Sequence, residues 1–261
     1  MFSKCKLLSE VNALQNWDVS HGIYFSGMFE DCESLLSLKG LQNWNVLNGK
    51  EFCKMFYNLI KLIDIKPLEN WNVSNGTDFE EMFYDCKNLL SLKGLQNWNI
   101  SNGENFGYMF DNCENLVNLN ELNNWNVSKC SNFNSMFGHC KKITTLKALK
   151  NWNVSNGKDF GYMFEECISL INLDGLQNWN VSNGESFRKM FDRCFSLVDI
   201  QSLENWGISK GFDEMFWICP KLSNPERLFE KWGLSKDDYQ KLIANKYTLT
   251  AYNAKENCAI Y

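Results

Sequence analysis

Tryptophan returns every 27 residues without a slip, from Trp17 through Trp44, Trp71, Trp98, Trp125, Trp152 and Trp179 to Trp206. The nine methionines keep the same clock and each is followed by phenylalanine, the pairs starting at Met1, Met28, Met55, Met82, Met109, Met136, Met163 and Met190, then at Met215. A period of this length means stacked copies of one supersecondary unit, each too small to bury its apolar face alone. The expected organisation is therefore one elongated repeat stack over residues 1–234, closed by a capping helix and tail over residues 235–261.

The unit reads F-x-x-M-F-x-x-C-x-x-L-x-x-L-x-x-L-x-N-W-N-V-S-N-G. Phe79, Met82, Phe83, Cys86 and Leu89 have the spacing of one face of a helix of about three turns. Ser74 and Asn75 offer N-cap oxygens ahead of it, and Gly76 permits the turn. Leu89, Leu92 and Leu95 step by three, which suits a short strand and a bend, as in leucine-rich coils. Trp98 and Ile100 flank Asn99 as a second short extended piece. The fold class expected is an α/β repeat: a curved, leucine-rich-repeat-like solenoid of about nine coils, each a short strand plus a short helix. Strands stack roughly 4.8 Å apart and helices roughly 8–10 Å apart, so strands should line the inner, tighter side.

Asparagine precedes every periodic tryptophan, from Asn16 to Asn205. Either it forms a polar binding stripe, or its amide bonds backbone in the next coil. The second reading is the expected one, because binding surfaces vary along a stack while internal supports repeat.

A net charge of −5, a pI near 5.2 and the absence of any Lys/Arg block argue against a nucleic-acid partner, since phosphate binding needs clustered positive charge. No apolar run approaches the roughly 18 residues of a membrane span. MFSKCKLLSEV lacks a signal peptide's apolar stretch, so an intracellular or particle-associated location is expected over secretion.

Eight of the eleven cysteines share one repeat position: Cys5, Cys32, Cys86, Cys113, Cys140, Cys167, Cys194 and Cys219. Leu59 fills that position in the third copy and no C-x-x-C pair exists, so buried thiols acting as small hydrophobes are expected rather than a metal site. Cys53, Cys130 and Cys258 stand apart; Cys130 replaces the repeat's glycine and is expected as a surface thiol. His21 and His139 occupy unrelated positions, His21 as a solvated turn residue. No phosphate loop, nucleophile elbow or dinucleotide fingerprint occurs. The expectation is a non-enzyme with no cofactor and no metal. Sequons at Asn72, Asn75, Asn99, Asn126, Asn153 and Asn180 are by-products of NWNVS.

MFEDCESLLSL, MFYDCKNLLSL and MFEECISLINL, with NWNVSNG, resemble the BspA-like leucine-rich repeats, notably the M-F-x-x-C-x-x-L variant of mycoplasmas. The resemblance covers residues 1–234 and implies protein binding or adhesion, with a leucine-rich-repeat fold. Members are mostly surface or secreted proteins of bacteria and protists, with others in large DNA viruses. The chain departs in its tryptophan and in lacking a secretion signal. The function expected is a protein-interaction or assembly module; a cell-surface adhesin and a structural component of a viral particle are the alternatives. Its candidate binding face is the variable position Lys39, Lys66, Lys93, Asn120, Lys147, Asp174 and Gln201, where charge changes while the frame stays fixed. The terminal CAIY resembles a prenylation box, making Cys258 a lipidation candidate, although tyrosine is an unusual last residue. At the other end, Phe2, Cys5, Leu7 and Leu8 form a first coil with none before it, a candidate site of association.

Overall fold

The computed structural model describes residues 1–243. Residues 27 apart lie above one another in columns; each column takes the name of its member in the coil 82–108. Single parallel bridges tie one coil to the next, from Tyr24–Glu51 through Asp78–Asn105 to Asp159–Ser186. Aromatic rings continue the register inside: Phe79 stacks on Phe106 at 5.4 Å, and Trp71 on Trp98 at 6.4 Å.

The expected strand-plus-helix coil is not what forms. Among the described residues no α-helix precedes Pro225, and β structure is limited to isolated bridges. The segment from Phe79 to Leu89 is instead a chain of tight turns. Met82 N–H bonds the Phe79 carbonyl at 3.2 Å, Cys86 that of Phe83 at 3.3 Å, and Leu89 that of Cys86 at 3.0 Å. Between these closures the chain unwinds, because Glu81 and Asp85 have φ of 54° and 58°, outside any right-handed helix. Alternate N–H groups then point along the stack: Phe79 to the Asn105 carbonyl at 3.0 Å, Glu81 to Gly107 at 2.9 Å, Phe83 to Met109 at 2.9 Å and Asp85 to Asp111 at 2.9 Å. Turns of three send every third or fourth residue inward, so their apolar pattern imitates a helix face.

A type II turn requires positive φ at its third residue. The Asp85 column meets that requirement in five copies with Asp31, Asn58, Asp85, Asn112 and His139, the residue types that tolerate left-handed backbone best, whereas Lys4, Glu166 and Arg193 adopt positive φ at the same position without that preference.

The segment after Leu92 takes two routes. Where it carries glycine, at Gly40, Gly94 and Gly175, φ is between 113° and 119°, and a Cβ on Gly94 would stand 2.4 Å from the Ile65 carbonyl oxygen. The other coils form 3-10 turns, at Asn12–Leu14, Lys66–Leu68, Asn120–Leu122, Lys147–Leu149 and Gln201–Leu203.

Facing the turns, the tryptophans hold the coils through side chains. Trp98 Nε1 donates to the Leu68 carbonyl at 3.0 Å, and Asn102 Nδ2 to the Ser74 carbonyl at 2.8 Å. Rings of the Phe106 column repeat at 5.3–5.4 Å, those of the Trp98 column at 6.0–6.5 Å. The coils therefore fan apart toward tryptophan, and the hydrogen-bonded turns take the tight side that strands were expected to line.

The cysteine column is free thiol, buried from Cys32 to Cys219, with Leu59 equally buried in its gap. Burial pushes the Cys86 thiol up to about 12, so it behaves as a small hydrophobe. Cys130 is a correction: it is fully buried, its Sγ donating to the Asn132 carbonyl at 3.2 Å. Its glycine neighbours lie under a phenylalanine, where a Cβ on Gly103 would stand 2.3 Å from Phe106 Cζ. Among the described residues no stacked ring pair joins Phe106 to Phe133, the place where Cys130 intervenes.

Helix α1, Pro225–Lys231, and helix α2, Lys236–Leu242, cover the last coil. Phe229 and Leu242 are fully buried, and Phe216 N–H bonds the Leu242 carbonyl at 2.9 Å. Ser235 caps α2 through the capping box its sequence offers, its Oγ accepting from Asp238 N–H at 3.2 Å; α1 carried no such signal. Cys258 lies outside the described residues.

Candidate functional site

The structure gathers the variable positions into one column. Lys39, Lys66, Lys93, Asn120 and Lys147 are exposed; Asp174 and Gln201 are half-buried. Lys147 pairs with Asp174 at 3.7 Å, whereas Lys39, Lys66 and Lys93 have no ion pair among the described residues. Where Gly94 recedes between the 3-10 turns of its neighbours, it leaves an open groove of about 570 Å³ lined by Lys66, Glu69, Lys93, Gln96, Asn120 and Glu121. One oxygen of Glu121 is buried there without a hydrogen-bond partner.

Sequence reasoning missed the column three residues upstream. Leu36, Ile63, Leu90, Val117, Ile171 and Val198 are 40–53% exposed, one per coil, with Thr144 in the gap. Main-chain bonds hold that register, as from Leu90 N–H to the Ile63 carbonyl at 3.1 Å. The signal was present: L-L-S-L, L-I-D-I and L-V-N-L place an aliphatic residue beside the core leucine in nearly every copy. A helical reading assigned it no separate face. Scattered surface hydrophobes need no explanation, but an aligned row does.

The asparagine before tryptophan also departs from expectation. Every member from Asn16 to Asn205 is exposed, and none makes a side-chain hydrogen bond among the described residues. The cross-coil support expected of it belongs to the Asn102 column. The asparagine after tryptophan closes a local turn, Asn99 Oδ1 accepting from Ser101 N–H at 3.1 Å.

Charged side chains meet on the turn side of coils five to eight. His139 Nδ1 lies 2.8 Å from Asp111 Oδ1, and its Nε2 3.9 Å from Glu166. The Asp111 hydrogen bond holds the imidazole above its ordinary range. Asp192 is fully buried with neither oxygen hydrogen-bonded, Lys189 at 3.6 Å and Arg193 at 3.8 Å being its charged neighbours. Burial pushes its carboxyl up to about 6.

Among the described residues one group of three metal-type donors converges, Cys53, Asp78 and Glu80, within 4.8 Å of one another. Burial, then Asp78, pushes the Cys53 thiol up to about 12. A structural zinc site takes four ligands, chiefly cysteine and histidine, and this group is one short. His21 is exposed in a turn, its Nδ1 3.2 Å from Ser20 Oγ. At the first coil, Phe2 stacks on Phe29 at 5.4 Å while Leu7 is 92% exposed and Cys5, unlike the rest of its column, is exposed too. No helix among the described residues is long and apolar enough to cross a membrane.

Against this geometry, one family model matches twice, over residues 1–119 and 109–232. The chain belongs to DUF285. That family is described as a mycoplasma protein of unknown function. The two matches together span the coil stack and α1, each covering more than four of the 27-residue coils. No curated protein matches the chain.

Proposed function

We propose that this DUF285 chain is a non-enzymatic protein-interaction module whose contact surface is the Leu90 column with the Lys93 column beside it. The observation that carries this reading is the aligned row of half-exposed aliphatic side chains. Covering such a row is worth roughly 25 cal/mol per Å² of apolar surface removed from water, and the adjoining variable column supplies the discrimination. Contacts repeated once per coil suit an extended partner segment, which would bury a little area on each of several coils. The resemblance to BspA-like repeats supports the same class of function, with adhesion as the version in which the partner belongs to another cell.

Capture experiments with the native chain and with a Leu90→Asp/Val117→Asp variant test this reading. Both sites are solvent-facing, so the variant should melt with the native protein. A partner retained by the native chain and lost by the variant supports the surface; partners captured equally by both would overturn it. Surface labelling of the source cell then separates the adhesin from an internal assembly role.

A further inference from the structure

Three columns of polar residues flank tryptophan, and two have a structural reason to repeat. The Asn102 column bonds the preceding coil, with Asn102 Nδ2 2.8 Å from the Ser74 carbonyl. The Asn99 column closes its own turn. The Asn97 column has neither task. It occupies the third place of the turn closed by Trp98 N–H on the Leu95 carbonyl at 3.1 Å, a place that most residue types fit. It is exposed throughout and bonded to nothing among the described residues, yet asparagine stands there in all eight coils. The position just before it has drifted through Gln42, Glu69, Asn123 and Lys150. Common descent of the copies does not explain this contrast between adjacent positions. A requirement from outside the fold does.

We infer that the Asn97 column, with the free amide N–H groups of the Asn99 column beside it, binds an extended, neutral polyhydroxyl polymer, a linear polysaccharide. Each carboxamide offers one acceptor oxygen and two N–H donors, which sugar hydroxyls satisfy from both sides. Between coils three and four these groups line an open groove of about 420 Å³, with Asn70, Asn72, Ser74, Asn97 and Asn99 among its walls. Trp71 lies in the groove wall, but from Trp44 onward the periodic tryptophans present little surface, Trp71 being 3% and Trp98 4% exposed. An apolar protein face would leave the amides unpaired. At the groove itself the charged side chain is the Glu69 carboxylate, which disfavours a polyanion there. The coil step on this side, 6.0–6.5 Å between tryptophan rings, is of the same order as the rise per unit of an extended glycan. One weak contact per coil thus adds along the chain, as linked binding modules do. This surface is separate from the Leu90 column and does not depend on it.

Affinity electrophoresis of the full chain through gels holding soluble β-glucan, xyloglucan or galactomannan, with heparin as the anionic control, tests the assignment. The native protein should be retarded by at least one neutral polymer and not by heparin. An Asn70→Ala/Asn97→Ala/Asn124→Ala variant should lose at least tenfold in affinity with an unchanged Tm, while the Leu90→Asp/Val117→Asp variant binds the polymer normally. Absence of retardation by all three neutral polymers, retardation by heparin alone, or undiminished binding by the asparagine variant would each overturn it. So would a clear fall in the Tm of that variant, which would show the column to be structural.

Discussion

The two sides of each coil hold the stack together by different means. On the turn side, main-chain groups do it: alternate N–H groups from Phe79 to Asp85 reach the next coil, and the columns of Glu80, Glu81 and Tyr84 vary freely. On the tryptophan side, side chains do it, through indole N–H groups and the Asn102 column. Repetition therefore carries different information on the two sides. Where backbone does the bonding, repeated residues are the buried ones. Where side chains do it, a repeated polar residue is structural only if it has a partner, and the Asn97 column has none.

The difference is broken most severely at a tryptophan. Trp125→Ala should destabilise by about 3–5 kcal/mol, because it empties a 3%-exposed site and removes the indole bond to the Leu95 carbonyl at 3.0 Å, leaving that carbonyl only the Trp98 N–H of its own turn. Equilibrium urea unfolding measures it; a loss below about 1 kcal/mol would show that backbone holds this side too.

Next in size is a charge effect on the turn side. Burial raises the Asp192 carboxyl to about 6 from an ordinary 3.8. The folded chain thus holds this proton more tightly than the unfolded one. Its contribution to stability is fully present below pH 3.8 and is lost as pH rises through about 6. The shift corresponds to something on the order of 3 kcal/mol. Asp192→Asn should accordingly be more stable than the native chain at pH 8, with the advantage fading near pH 4. An advantage equal at both pH values would contradict it.

Gly76→Ala should cost about 1–3 kcal/mol, since the new Cβ would stand 2.5 Å from Phe79 Cζ. Thermal melts check it against Cys130→Gly, which should restore ring stacking between Phe106 and Phe133. The smallest effects sharpen the comparison furthest. Asn102→Ala should cost about 1 kcal/mol through its lost cross-coil bond, whereas Asn97→Ala should stay within about 0.5 kcal/mol, as surface changes do. Equal losses at the two sites would remove the distinction between them.

The periodic core was readable from sequence because burial tolerates no drift: Trp98, Phe83, Cys86, Leu92 and Leu95 are all at most 4% exposed. The local conformation was not. Offsets of three and four residues fit a helix face and a chain of turns equally well, and what decides between them is backbone sign at Glu81 and Asp85. Asp, Asn and His recurring in the Asp85 column were the available hint of left-handed backbone; glutamate and tyrosine in the Tyr108 column gave none. For the site, charge variation pointed to the Lys93 column, while Leu90 was hidden because an extra leucine adds nothing to a helical pattern. The Asn97 column is legible as a repeat but not as unbonded, because sequence alone does not show which asparagine finds a partner.

The helix-free coil on which all of this rests is tested most directly by scalar couplings across hydrogen bonds in a labelled sample. Phe83 N should couple to the carbonyl carbon of Met109, and Phe79 N to that of Asn105, with positive φ at Glu81 and Asp85. Coupling of Phe83 N to the Phe79 carbonyl carbon instead, the signature of an α-helix, would contradict it.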